Sequence, residues 1–263
     1  MSLRVVADRD VRDPFRSMSA LLLFGAFALV FAAIGYLGQD LQSTFGLAVV
    51  GTMNTLVPLA SFGLSYGVVA GKRDRGALRV ILAYPHSRRD VVLGSALGRA
   101  VLVVAAVTVG FVAGAVVFVA ASGTLPDVGT YVAGWVLSCL FGVVIAAVGV
   151  GISASTRTSN RAIGGCVVAY ILFFVAWGQL PTLVRFFVYG FHVPNGPPPT
   201  WQKVFVHLDP QSAFGTLVTA LLGNGVASSG PVYTGTGFAA LVLLGWIVLP
   251  LALADYRFDR TGL

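Results

Sequence analysis

Gly71-Lys72-Arg73-Asp74-Arg75-Gly76-Ala77-Leu78-Arg79-Val80-Ile81-Leu82-Ala83-Tyr84-Pro85-His86-Ser87-Arg88-Arg89-Asp90 is a charged island in an otherwise apolar chain. Six of the seventeen Lys and Arg residues lie inside it, and apolar runs long enough to cross a bilayer flank it on both sides. A charge at the centre of a membrane helix costs roughly 2.5–3.5 kcal/mol on insertion scales, so the island cannot sit in hydrocarbon. It belongs in water, at a membrane surface or against a partner protein.

The rest of the composition agrees. Of 263 residues, 57% are hydrophobic and only 10% charged, with a mean hydropathy of +0.87. Soluble domains carry about 25% charged residues, so the chain reads as an integral membrane protein. Its length suits about six spans of ~20 residues plus loops. The formal charge of +7 does not point to nucleic acid, because the basic residues occur as short clusters between apolar runs. Such clusters set membrane topology. Cys139 and Cys166 both fall in apolar runs and read as small packed side chains, with no disulfide framework.

Upstream of the island, residues 1–17 set Arg4, Arg9, Arg12 and Arg16 against Asp8, Asp10 and Asp13. Interspersed Val5, Val6, Val11 and Phe15 make a short interfacial amphipathic helix one reading and a solvated tail the other. No small-residue cleavage site follows a short apolar core, so a retained first span is expected. That span covers 19–37 and the second 45–70. Pro58 falls inside the second, and a kink is expected there because proline removes one backbone hydrogen bond.

Downstream, Ser87-Arg88-Arg89-Asp90 has the form of a capping box, with Asp90 in the place usual for Glu. No proline follows until Pro126, and a helix over 88–121 would be ~50 Å long at about 1.5 Å per residue. That exceeds a ~30 Å hydrocarbon core, so its first turns, up to Arg99, should project into water. The fourth span is expected over 131–154, the fifth over 162–180 and the sixth over 237–254, with Pro250 near the last one's end. Thr156-Arg157-Thr158-Ser159-Asn160-Arg161 forms a short basic loop, and Asp255-Tyr256-Arg257-Phe258-Asp259-Arg260 follows the sixth span. Residues 1–263 therefore read as one all-α transmembrane domain.

Orientation follows from where the cations lie. The N-terminal segment, the island with Arg99, the 156–161 loop and the C-terminal tail together hold fifteen of the seventeen; the other side holds Arg185 and Lys203. Short basic loops stay in the cytoplasm, so both termini are expected there and 181–236 outside, in a plasma-membrane protein. Within 181–236, Asn195-Gly196-Pro197-Pro198-Pro199 is a stiff extended segment. Asp209-Pro210 supplies an N-cap and an N1 proline for a short helix over 211–222, whose apolar run is too short to span. The aromatic-rich stretch 184–191 suits an outer interface. The whole segment reads as an extracytoplasmic cap or, alternatively, a substrate gate.

The chemistry that is missing narrows the function. There is no Gly-x-x-x-x-Gly-Lys-Ser/Thr loop, so ATP is not bound in that manner. His86, His192 and His207 stand without metal-ligand spacing, and Met1, Met18 and Met53 are too few for a thioether copper relay. The chain contains no glutamate, and none of its ten aspartates falls inside an apolar run. Ion-coupled carriers place ionisable groups at membrane depth, so a self-powered transporter is disfavoured, as is a membrane-embedded hydrolase. Asn54, Ser61, Ser65, Thr108 and Ser138 read as helix–helix hydrogen bonds. No catalytic residue, metal site or cofactor is expected.

The island and its continuation, Val91-Val92-Leu93-Gly94, resemble the signature of type-2 ABC transporter permeases, in a branch similar to the permease of nitrous-oxide reductase maturation. The family pattern is an acidic-basic run, Gly-Thr-Leu, an apolar turn, Pro-x-Ser-Arg and then Gly-Lys. The resemblance implies six spans, cytoplasmic termini, an N-terminal interfacial helix and a coupling helix between spans two and three. It also implies a separate ATPase subunit and a second permease copy, identical or related, around the pathway. Three positions depart from the pattern: Lys72 stands where Glu is usual, Ala77 for Thr, and Ser95 for Lys.

The residues themselves are compatible with such a role. On a helix Lys72, Arg75 and Arg79 form one stripe, and Ala77, Leu78, Ile81 and Leu82 another. Gly76 permits close backbone approach and Pro85 ends the rod. The expected ATPase-coupling residues are Lys72, Arg75, Gly76, Leu78, Arg79, Leu82, Pro85, Arg88 and Arg89. The function expected is a permease subunit that moves an unidentified substrate on another subunit's ATP hydrolysis. The alternative is a non-transporting scaffold or assembly factor that recruits a partner, with the island only fixing orientation.

Overall fold

The computed structural model describes residues 18–41, 44–74, 88–192, 196–223 and 230–260. The interfacial helix expected within 1–17, the capping residue Ser87 and most of the island lie outside the described residues.

The described chain is built of helices. Helix α1 spans Met18–Leu37 and α2 Phe45–Ser65, after which a turn leads into the short α3, Ala70–Asp74. The long α4, Arg88–Ser122, has 35 residues, in line with the uninterrupted run in the sequence. Helix α5 is Val128–Ser155 and α6 is Ser159–Ile171, continued by a π-helical turn over Leu172–Ala176. Then come α7, Leu180–Val188; α8, Thr200–His207; α9, Pro210–Leu222; and α10, Thr236–Arg260. Among the described residues, five stretches are long and apolar enough to cross a membrane: Phe45–Asp74, Arg89–Ser122, Val128–Ser155, Ser159–Ala176 and Thr236–Arg257. The apolar α1 lies alongside them.

Helix α5 is the axis of the bundle. Of its apolar stretch 78% is buried, against 22% for Ser159–Ala176 and 17% for α10. Asp127 caps its start by accepting from the Thr130 amide at 3.1 Å and from the Thr130 hydroxyl, and the hydroxyl bond above all holds this carboxyl below its ordinary value. Around α5, Phe45 stacks on Phe118 at 4.1 Å, Tyr131 donates to the Phe111 carbonyl at 2.6 Å, and Phe141 stacks on Phe214 at 4.4 Å. Aromatic stacking thus links α2, α4, α5 and α9 into one core.

Close helix approach depends on glycine at two crossings. A Cβ added at Gly35 would collide with the backbone oxygen of Gly114, so α1 and α4 touch backbone to backbone there. A Cβ at Gly151 would stand 2.9 Å from the Pro250 carbonyl oxygen, so α5 and α10 meet the same way.

Two spans depart from regular helix. The second, expected over 45–70, falls within the apolar stretch Phe45–Asp74, but inside it α2 stops at Ser65. It remains helical through Pro58 and breaks further on, at 66–69, around Gly67. The fifth was expected to run to 180. Instead the π-turn inserts an extra residue, a turn containing Gly178 follows, and Pro181 in the first turn of α7 starts a new helix.

Candidate functional site

The break after α2 lies at the charged end of the bundle, where the island begins. Two backbone amides released by it, those of Val69 and Ala70, both donate to the hydroxyl of Ser153 at 3.1 Å. Ser153 lies near the end of α5 and is completely buried, so this oxygen satisfies two donors that water cannot reach. Helix α3 then projects its side chains onto the α5–α6 joint. An Arg73 guanidinium nitrogen donates to the Thr156 carbonyl at 2.8 Å, and the Ser159 amide donates to Asp74 Oδ2 at 3.4 Å. Ser159 opens α6, where the positive end of the helix dipole favours a carboxylate.

Lys72 and Ser95, two of the three positions that depart from the family pattern, touch each other. Lys72 Nζ donates to Ser95 Oγ at 3.3 Å, with Ser95 fully buried in α4. The pattern's usual Lys at 95 would set two ammonium groups against one another; the serine removes that repulsion and leaves an acceptor. On the other side of the island Arg89 Nε meets Asp255 Oδ2 at 2.8 Å, linking the start of α4 to the end of α10. Beneath these contacts Val68, Val69, Val91, Val92, Val150 and Ala254 form a small separate core.

Of the residues singled out from sequence, Lys72 therefore sits in the junction through α3 and Arg89 through α4. Arg88 opens α4. Arg75, Gly76, Leu78, Arg79, Leu82 and Pro85 lie outside the described residues.

Where α9 begins, against the middle of α10, the bundle is polar in another way. Asp209 caps α9, accepting from the Ser212 amide at 3.0 Å and the Ser212 hydroxyl at 3.1 Å through Oδ2. The residue is 3% exposed, and its other oxygen has no hydrogen-bond partner among the described residues. Burial pushes this carboxyl up to about 6, against the pull of the hydrogen bonds from Ser212 and Gln211. Arg185 donates to Gln202 Oε1 at 3.1 Å, which ties α7 to α8. Two tryptophans pin the cap to the spans: Trp177 donates to the Phe205 carbonyl at 2.9 Å and Trp246 to the Leu208 carbonyl at 2.8 Å. Phe187 and Phe191 pack edge to face yet stay 64% and 70% exposed.

A family model described as ABC-2 family transporter protein matches residues 4–263, nearly the whole chain. The chain belongs to the ABC-2 transporter family. Two curated relatives carry the name "Probable ABC transporter permease protein NosY", from Stutzerimonas stutzeri and from Pseudomonas aeruginosa strain PAO1. Each is 27% identical over 114 residues, covering 40% of this chain and 41% and 42% of the relatives. The chain thus spans about two fifths of the length of the curated relatives it matches. Members of the ABC-2 family are transmembrane subunits without an ATPase site of their own, and the complex they form carries out ATP-driven transport.

The junction joins span ends that lie far apart in sequence. Displacing α3 pulls on Ser153 and Thr156, hence on α5 and α6; displacing the start of α4 pulls on α10. Sequence reading missed Ser153, Thr156 and Asp255. The basic 156–161 loop was read only as a topology signal, and Asp255 as part of the tail. Of the span polar residues it did name, Ser61 donates to the Gly142 carbonyl at 3.3 Å and Thr108 accepts from Trp135 at 3.0 Å, both between helices, whereas Asn54 Oδ1, Ser65 Oγ and Ser138 Oγ are buried without a hydrogen-bond partner among the described residues, against the expectation. Among the described residues no three His, Cys, Asp or Glu side chains gather as a metal site requires.

Proposed function

We propose that this chain is the permease subunit of a plasma-membrane ABC transporter, with six spans, cytoplasmic termini, and residues 71–90 as the segment on which a separate ATPase subunit acts. The observation that carries this is the junction: both flanks of the island are tied to other span ends, by Ser153, Thr156 and Ser159 on one side and by Asp255 on the other. A push delivered to such a segment reaches α2, α4, α5, α6 and α10 together. Arg75, Arg79 and Leu78 are assigned to the contact with the ATPase, whose groove takes the apolar stripe. The basic residues on the same side of the bilayer support the cytoplasmic assignment.

A second copy is assigned to the open face of α2. Leu47, Gly51, Thr55, Leu59 and Gly63 recur every fourth residue there and are all exposed. Grooves of about 460 and 520 Å³ flank this face toward α1 and α6. Small residues at such spacing let membrane helices approach closely.

The test is to purify the chain from its native membrane and identify a nucleotide-binding protein with it, then to measure vesicle flux with that ATPase present. Arg75→Asp and Leu78→Asp are expected to abolish flux and leave the melting temperature unchanged. Transport that persists in a strain lacking every such ATPase would overturn the reading.

A further inference from the structure

Between the start of α4 and the end of α10 runs a groove of about 360 Å³ on the outer side of the junction's small core, away from the α2 face. Val92, Leu93, Val248 and Leu251 line it, and the Arg89–Asp255 pair closes one end. Leu93 and Val248 are 43% and 59% exposed, so the groove opens outward from two helices that are long and apolar enough to span a bilayer. No helix of this chain fills it among the described residues.

The two charges at its end are presented unequally. The Arg89 side chain is 70% exposed in spite of the 2.8 Å pair, whereas that of Asp255 is 25% exposed and its Oδ1 is buried without a hydrogen-bond partner among the described residues. What the groove offers outward is therefore a guanidinium, which binds an oxyanion by two parallel hydrogen bonds. An apolar trough that ends in an exposed cation at a membrane surface has the shape and charge of an anionic amphiphile's complement. We propose that an anionic phospholipid of the bilayer occupies this groove, with its phosphate on Arg89 and an acyl chain along Leu93, Val248 and Leu251.

In this arrangement Asp255 competes with the phosphate for the same guanidinium, which gives the proposal a signature that a merely structural ion pair lacks. The probe is phosphatidylglycerol added to the delipidated full chain in detergent, with bound copies counted by native mass spectrometry and phosphatidylcholine as the zwitterionic control. Arg89→Gln is expected to weaken phosphatidylglycerol binding about tenfold, the loss of one charge-assisted contact. Leu93→Trp fills the trough with the charges intact and is expected to weaken it similarly. Asp255→Asn releases Arg89 and is expected to strengthen binding severalfold. Millimolar inorganic phosphate is expected not to displace the lipid, because it has no chain to seat.

Equal binding of the two lipids would overturn the proposal, as would weaker phosphatidylglycerol binding by Asp255→Asn, the result expected if the pair only fastens α4 to α10. Ready disulfide-linked dimers of Leu93→Cys would assign the groove to a second copy instead. The assay needs no ATPase, so its failure leaves the permease reading untouched, and melting temperatures of the variants separate lost binding from lost folding.

Discussion

Two polar regions of this bundle are stitched differently. At the charged end, Val69, Ala70 and Arg73 bond to partners 83 or 84 residues away. Around the start of α9, Asp209 bonds three residues on, Arg185 seventeen, Trp177 twenty-eight and Trp246 thirty-eight. Long-range bonds tie one span to another, so a displacement at that end is shared. Shorter-range bonds shape the α7–α9 segment, which packs on the spans through Trp177, Trp246 and the Phe214–Phe141 stack. Under the permease function proposed above, the charged end is where force would enter, and the α7–α9 segment would be ordered largely by its own bonds.

The most severe way to break that contrast is Ser153→Ala. It removes the acceptor for two buried amides, each worth about 1–3 kcal/mol when stranded, so a loss on the order of 2–6 kcal/mol is expected. Thermal unfolding in detergent measures it. If the junction transmits force, ATPase activity in the complex should also uncouple from flux. A Ser153→Ala protein that melts like the wild type would mean the Val69 and Ala70 amides find other partners, and the junction would lose its mechanical role.

At the cap the largest expected effect is electrostatic. Asp209 titrates near 6 in the folded chain against an ordinary 3.8, because burial penalises its charged form. The folded state therefore holds this proton over a range in which the unfolded state has released it. Unfolding free energy should fall as pH rises from about 4 to 6, by roughly 2–3 kcal/mol, and stay level above. Asp209→Asn keeps an acceptor oxygen for the Ser212 amide and removes the charge. Its stability should show no such slope and should at least equal the wild type at pH 8. A variant that retains the slope would assign the titration to another group.

Asp209 also marks what was legible in advance. Its helix was readable because the signals are local: a carboxylate at the N-cap and a proline at N1 fix the start of α9 without help from elsewhere. The 35-residue α4 was legible for a similar reason, an apolar run that no proline interrupts. The break at 66–69 was not. Its amides are satisfied by a serine 84 positions away, and nothing around Ser153 distinguishes that hydroxyl from Ser155 or Ser138. The π-turn at Leu172–Ala176 was equally hidden, since its sequence is as apolar as the helix it interrupts. At the candidate site, chemistry singled out Lys72 and Arg89. Their partners Ser95 and Asp255 emerged only from three-dimensional proximity.

The smallest effect probes the hydrogen bond that ties Leu208 to the α10 span. Trp246 on α10 donates to the Leu208 carbonyl, 38 residues away, and its ring meets Phe173 at 4.8 Å and Trp177 at 6.2 Å. Trp246→Phe keeps most of the ring packing and deletes the donor, so a loss of about 1 kcal/mol is expected. The informative readout is hydrogen exchange by residue. If the α7–α9 segment is ordered largely by its own bonds, the amides of α8 and of the first turn of α9 should exchange faster while those of α3 and α5 keep their protection. Faster exchange at the Val69 and Ala70 amides would mean the two regions are coupled through α10, and the division between a force-bearing region and a passive one would fail.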